Sequence, residues 1–226
     1  SQVIDVRMDS VAAINAAMAA IAAGECIVLP TDTVYGIGAN ALSAPAVRSL
    51  LEAKRRGRDM PPPVLLAEPA MLRSLAGGRL SDAEALAEAF WPGALTLVVT
   101  SHPRLRMDLG DRGDTIAVRV PDHTFTRELL RATGPLAVSS ANVSGEPAAC
   151  SIAEARAQLG DSVSVYLDAG GSSGPVPSTV VDLSGETPRI LREGRISRAE
   201  LARVVPALAD MPELAEEPEA ATAMEG

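Results

Sequence analysis

Apolar positions in this chain change their spacing from segment to segment, and the changes mark its elements. Ser1 to Arg7 alternates loosely and predicts an edge strand. Asp9 or Ser10 can cap a helix running to Ala23, with Gly24 suited to the residue after its end. Cys26 to Leu29 is an apolar run without alternation, the pattern of a short strand buried on both faces. Ser43 and Pro45 start a second helix over Ala46–Ala53. Pro61-Pro62-Pro63 forces an extended segment before a strand over Val64–Ala67. Further strands are expected over Leu95–Thr100, Thr115–Val120, Val163–Leu167, Thr179–Leu183 and Arg189–Arg192. Pro121 and Asp122 start a helix to Arg131. The stretches Ser81 to Glu84, Ser151 to Glu154 and Ser197 to Glu200 each read as a capping box; the first opens a helix to Ala89, the last a helix to about Val205. Strands and helices mix without strict β–α–β alternation. The expected fold class is therefore α/β, a twisted sheet of parallel and antiparallel strands flanked by helices.

One stretch organises the rest. Gly134 to Gly145 begins as a strand, Leu136-Ala137-Val138, and runs straight into Ser139, Ser140, Asn142 and Ser144. A buried strand ending in clustered hydroxyls and amides delivers donors to a fixed point, and open α/β sheets bind ligands at such strand ends. Short side chains also let an anion approach loop N–H groups. A turn that satisfies only its own backbone is the competing reading. Thr31-Asp32-Thr33 follows Pro30 in a similar way. The segment 168–178, rich in Gly, Pro and Ser, is either a flap or a plain surface loop, with its length favouring a functional role.

Composition narrows the partners. A chain of 226 residues suits one domain plus a tail. Its net charge is −9, but residues 207–226 carry six acidic groups and no Lys or Arg, which leaves a body of −3. Residues 1–206 are expected to form the folded domain, and 207–226 an acidic, disordered tail. A near-neutral body is not a general nucleic-acid binder. No apolar run is long enough to span a bilayer, and no signal-peptide pattern precedes the first helix. Cys26 and Cys150 lack metal-ligand spacing, so a cytoplasmic chain with two thiols is expected, without a protein metal site. His102 and His123 have no partner pattern that would make either a base or a ligand.

Against this background Lys54, Arg55, Arg56 and Arg58 form a dense basic cluster, and Lys54 is the only lysine among twenty basic side chains. Where arginine supplies generic charge, a lone ammonium points to a place that a planar guanidinium does not fit. Arg58 reads as solvated. There is no Ser-His-Asp set, no Walker A and no Rossmann glycine pattern. Fixed cations, hydroxyls and loop amides remain, a set suited to polyanions and to phosphoryl or nucleotidyl transfer.

Seven blocks in order now carry a resemblance: Pro30 to Gly36, Lys54 to Arg56, Trp91 to Gly93, Ala117 to Arg119, Ser139 to Gly145, Ser178 to Asp182 and Leu191 to Gly194. Together they resemble the YrdC-like family of threonylcarbamoyl-AMP synthases, in its short single-domain form, over about Val3 to Val205. The resemblance implies a mixed α/β sheet with a concave ligand groove. It implies that L-threonine and bicarbonate give a carbamate, which attacks the α-phosphate of ATP and releases pyrophosphate. ATP enters as a substrate, with magnesium accompanying it. Downstream threonylcarbamoyl-transferase proteins would place the group on tRNA, and a weak RNA contact is compatible with this.

Carried over by position, Lys54 and Arg56 would be catalytic, facing phosphates and carbonate. Thr33, Arg119, Val138 and Ser178 would hold threonine, with Arg119 on its carboxylate. Arg56, Met60, Thr115, Ser140, Asn142, Ala148 and Arg192 would hold ATP. Two departures stand out: Leu65 occupies a position where some members have His, and Glu193 replaces a common Pro. A double-stranded RNA-binding or ribosome-maturation module is the rival reading. The −3 body and the scarcity of aromatic platforms count against it. A carbamoyl-transfer domain, as in hydrogenase-maturation proteins, would need the zinc-type Cys pairs that two isolated cysteines cannot supply.

Overall fold

In the computed structural model, which describes residues 1–78, 80–111, 113–172 and 174–209, the strands join in one mixed sheet. They are β1 (Gln2–Asp5), β2 (Ile27–Leu29), β3 (Gly36–Asn40), β4 (Val64–Leu65), β5 (Leu95–Thr100), β6 (Thr115–Arg119), β7 (Leu136–Ser140), β8 (Val165–Asp168), β9 (Thr179–Asp182) and β10 (Arg189–Arg192). Their order across the sheet is β1-β8-β2-β3-β7-β4-β6-β5-β9-β10. Pairs β1/β8, β2/β8, β4/β6 and β5/β9 are parallel, and the others antiparallel. The helices are α1 (Ser10–Ala22), α2 (Ala44–Ala53), α3 (Leu72–Leu75), α4 (Ser81–Phe90), α5 (Thr124–Thr133), α6 (Ile152–Leu159) and α7 (Arg198–Val204). Among the described residues no helix is long and apolar enough to cross a membrane.

Strand alternation splits the core between two faces. Val28, Ile37, Val64, Leu95, Leu97, Val118, Ala137 and Val181 share one apolar cluster with α2, α4, α6 and α7. Ile27, Leu29, Leu65, Leu136, Val138, Val165 and Leu167 point the other way, onto α1 and α5. That second cluster takes in β8, β2, β7 and β4, with Ile4 of β1 packed against it, and does not reach β6, β5 or β9. Over β6, β5 and β9 the same face carries Thr115, Ala117, Arg119, Thr96, Val98 and Val180 instead, and these line a groove. The groove therefore exists because two helices cover only half of a wide sheet.

Strand β3 was not expected, because Gly36 and Gly38 depress strand propensity. The fold needs them small: a Cβ at Gly36 would lie 2.6 Å from Val138 Cγ1, and one at Gly38 2.8 Å from Leu29 Cδ2. The strand expected over Val64–Ala67 pairs only at Val64–Leu65. The helix expected from Pro121 begins at Thr124, where His123 Nδ1 accepts from the Thr126 N–H. His102 likewise turns its ring inward on the chain and accepts from Arg104 N–H. The capping box at Ser81 does not form, because Leu80 is the capping position and Glu84 accepts from Arg73 instead. At Ser151 only the hydroxyl half is present, since Glu154 takes the Cys150 N–H. The box at Ser197 and Glu200 is complete. At the far end Leu208 is fully buried against the first cluster, so packing extends past Pro206. Residues 210–226, most of the expected tail, lie outside the described residues.

Candidate active site

The groove has a volume of about 440 Å³, within the range of small-molecule sites. Leu65, Thr96, Val98, Ala117 and Val138 contribute to its lining from four strands. Eleven of the twelve residues singled out in the sequence line it: Thr33, Arg56, Met60, Thr115, Arg119, Val138, Ser140, Asn142, Ala148, Ser178 and Arg192. Lys54 does not line it.

Arg119 is the anchor of one end. It ends β6 on the groove face and is 6% exposed. Nε donates to Gly93 O at 2.9 Å, Nη1 to Thr33 Oγ1 at 3.1 Å and Nη2 to Asp32 Oδ1 at 2.6 Å. A guanidinium has five N–H donors, so two remain uncommitted among the described residues. Burial pulls its pKa down from the usual value, and the Asp32 charge opposes that pull. Thr33 is set in turn by Thr31, whose hydroxyl lies 3.0 Å away and donates to Val34 O. Asp32, which carried no expected role, has one as the partner of Arg119.

Ser178 precedes β9 and is held from two sides. Its hydroxyl lies 2.9 Å from Thr96 Oγ1, and its carbonyl accepts from Arg192 Nε and Nη2 at 3.1 and 2.9 Å. Thr96 was missed, although it is a polar residue at an alternate position of the apolar strand Leu95–Thr100. The segment 168–178 is tied at its base, where Tyr35 Oη donates to Gly170 O at 2.6 Å and Ser172 N–H donates to Cys150 O. Its Pro175 and Pro177 form part of the groove wall. Glu193 accepts from Arg198 N–H at 3.1 Å.

The basic cluster gains its shape from a helix end. After α2 the Arg55 N–H donates to Glu52 O and the Arg56 N–H to Leu51 O, with Arg55 at φ +52°. This left-handed residue leaves Arg55 exposed and turns its two neighbours inward. Arg56 Nη1 donates to Ser139 Oγ at 3.0 Å and lines the groove. Arg58 keeps 40% of its side chain exposed, in line with the solvated residue expected, and pairs at the surface with Asp108 at 2.7 Å and Asp111 at 3.0 Å.

Lys54 departs furthest from expectation. It is 1% exposed, and its ammonium donates to Ser140 O at 2.6 Å, Asn142 O at 2.7 Å and Asn142 Oδ1 at 3.3 Å. Burial, with Arg56 nearby, pushes its pKa down to about 8. The loop it holds also differs from a row of amides open to an anion. Ala141 N–H donates to Tyr35 O, Asn142 N–H to Ser140 O, Ser144 N–H to Lys54 O and Glu146 N–H to Val143 O. Val143 N–H donates to Gln158 Oε1 at 2.9 Å. Those five amides are therefore already paired, and from this wall the Ser140 hydroxyl and the Arg56 guanidinium remain for a ligand.

The Sua5/YciO/YrdC family model, described as telomere recombination, matches residues 19–194. A putative threonylcarbamoyl-AMP synthase of Mycobacterium tuberculosis is 52% identical over 192 residues, covering 85% of this chain and 88% of that protein. The threonylcarbamoyl-AMP synthase of Bacillus subtilis is 36% identical over 191 residues, covering 84% and 55%. Among solved structures, P. abyssi Sua5 complexed with L-threonine superimposes with a TM-score of 0.85 at 35% identity, covering 91% of this chain and 61% of that one. This chain thus spans less than two thirds of the last two proteins.

Proposed function

The chain belongs to the Sua5/YciO/YrdC family, and on that premise we propose that it condenses L-threonine, bicarbonate and ATP into threonylcarbamoyl-AMP and pyrophosphate. The observation that carries this reading is that residues from six of the seven separated sequence blocks share one groove, with Lys54 behind its wall. The names and the threonine complex of the relatives support it.

Each end of the groove has a task. The two uncommitted donors of Arg119 suit the carboxylate of threonine, with Thr33 and Ser178 beside it. Leu65 and Val138 give that end its apolar surface, in place of the His of some members. Arg56 and Ser140 suit phosphate oxygens, Arg192 approaches from the β10 side, and Met60, Thr115, Asn142 and Ala148 line the nucleotide's path. Threonine's amine and bicarbonate combine to a carbamate with loss of water. The carbamate oxygen attacks the α-phosphorus, and pyrophosphate takes the bond electrons as it leaves. The nucleophile is already an anion, so positioning and charge stabilisation matter more than a protein base. Magnesium arrives as part of the ATP substrate; among the described residues no group of three His, Cys, Asp or Glu side chains stands together to hold an ion.

The product would pass in the cytoplasm to a transferase acting on tRNA. The test is pyrophosphate release from ATP with threonine and bicarbonate omitted in turn. Release should require both, and equal release without threonine would leave only an ATPase.

A further inference from the structure

The wall of the groove after β7 is a loop, and two side chains hold it from behind. Lys54 draws in the carbonyls of Ser140 and Asn142 and the side-chain oxygen of Asn142, while its own carbonyl accepts from Ser144 N–H at 2.9 Å. Three acceptors meet the three ammonium donors, a convergence that a planar guanidinium fork does not match. On the far side Gln158 of α6 takes Val143 N–H on Oε1 at 2.9 Å and gives Nε2 to Pro147 O at 3.0 Å. Between them the Asn142 amide donates to Val143 O and Glu146 O at 2.9 and 2.7 Å. The N–H groups of Ala141, Asn142, Val143, Ser144 and Glu146 are thus all paired within the protein, and neither Lys54 nor Gln158 lines the groove.

We propose that Lys54 and Gln158 are positioning residues that set the Ser140–Pro147 loop in its binding shape before substrate arrives, and that neither touches substrate. What the loop positions rests on the proposed reaction, through the Ser140 hydroxyl and, across Ser139, the Arg56 guanidinium. The lone lysine is then explained by the geometry of the carbonyls behind the wall rather than by phosphates in front of it.

The test is amide hydrogen exchange on the ligand-free full chain, with Lys54→Met and Gln158→Met against wild type. Both variants should speed exchange at Val143, Ser144 and Glu146 by about tenfold or more, while β5 and β6 keep their protection. Both should lower kcat/KM for ATP and leave the threonine KM within about twofold, because Arg119, Thr33 and Ser178 hang on other elements. Ligand-free exchange at the wild-type rate in either variant overturns the proposal. If Lys54→Met lost only ATP-induced protection, Lys54 would be an ATP contact. Should Lys54→Met fail to fold, Lys54→Arg and Gln158→Met are read by the same criteria. Pyrophosphate release that ignores threonine would instead overturn the proposed reaction and leave the exchange result standing.

Discussion

Replacing Asp32 by Asn removes one charge from the buried pair that anchors Arg119. The two side chains are 7% and 15% exposed and meet at 2.6 Å. With charge centres about 4 Å apart and an effective dielectric near 20, their attraction is about 4 kcal/mol. Asparagine avoids the desolvation of a carboxylate, which returns part of that. Breaking a buried pair from one side usually costs about 3–5 kcal/mol. Asparagine's carbonyl can still accept from Nη2, and Gly93 and Thr33 still hold the fork, so the lower end, about 3 kcal/mol, is expected. For a domain of this size that is a fall in Tm of about 6–12 °C. Threonine sharpens the test. Its carboxylate would restore a negative charge beside Arg119, so saturating threonine should raise the variant's Tm by more than the wild type's. Thermal melts of both proteins, with and without threonine at fixed ionic strength, decide the matter. A variant that melts within about 2 °C of wild type would show that groove water already screens Arg119. Equal threonine shifts in both proteins would remove Arg119 from the threonine site.

Three further outcomes are expected. Cys26 is 2% exposed and burial pushes its thiol up to about 11, so at pH 8 an aromatic disulfide reagent should titrate only Cys150 in the native protein and both thiols after unfolding. Gly194→Ala would place a Cβ 2.6 Å from the Ser178 carbonyl carbon, so the threonine KM should rise by about tenfold or more as Ser178 shifts, measured by steady-state kinetics. A chain ending at Ala209 should melt like the full chain, whereas one ending at Val205 loses fully buried Leu208, about 2–3 kcal/mol, and should melt about 4–12 °C lower.

The sequence by itself determined the elements whose causes are local. Strands Leu95–Thr100 and Arg189–Arg192 were legible to the residue, because their apolar runs and flanking turn residues are local in sequence. The cap at Asp9 or Ser10, which the structure assigns to Asp9, and the box at Ser197 were legible for the same reason. That most of the groove-lining hydroxyls and arginines would gather was legible too, since they cluster at strand and helix ends. Only the tertiary structure decided what depends on distant partners. Strand β3 forms despite its glycines because β2 and β7 crowd it on either side. Asp32 and Gln158 carry no local mark; one gains its role from an arginine 87 positions away, the other from a loop 15 positions away. Lys54 shows the limit most plainly. Its singularity was visible in the composition, but the side on which its ammonium would find oxygens was not. A side chain's chemistry belongs to the sequence, whereas the acceptors it meets belong to strands brought together by the fold, here 86 and 88 positions along the chain.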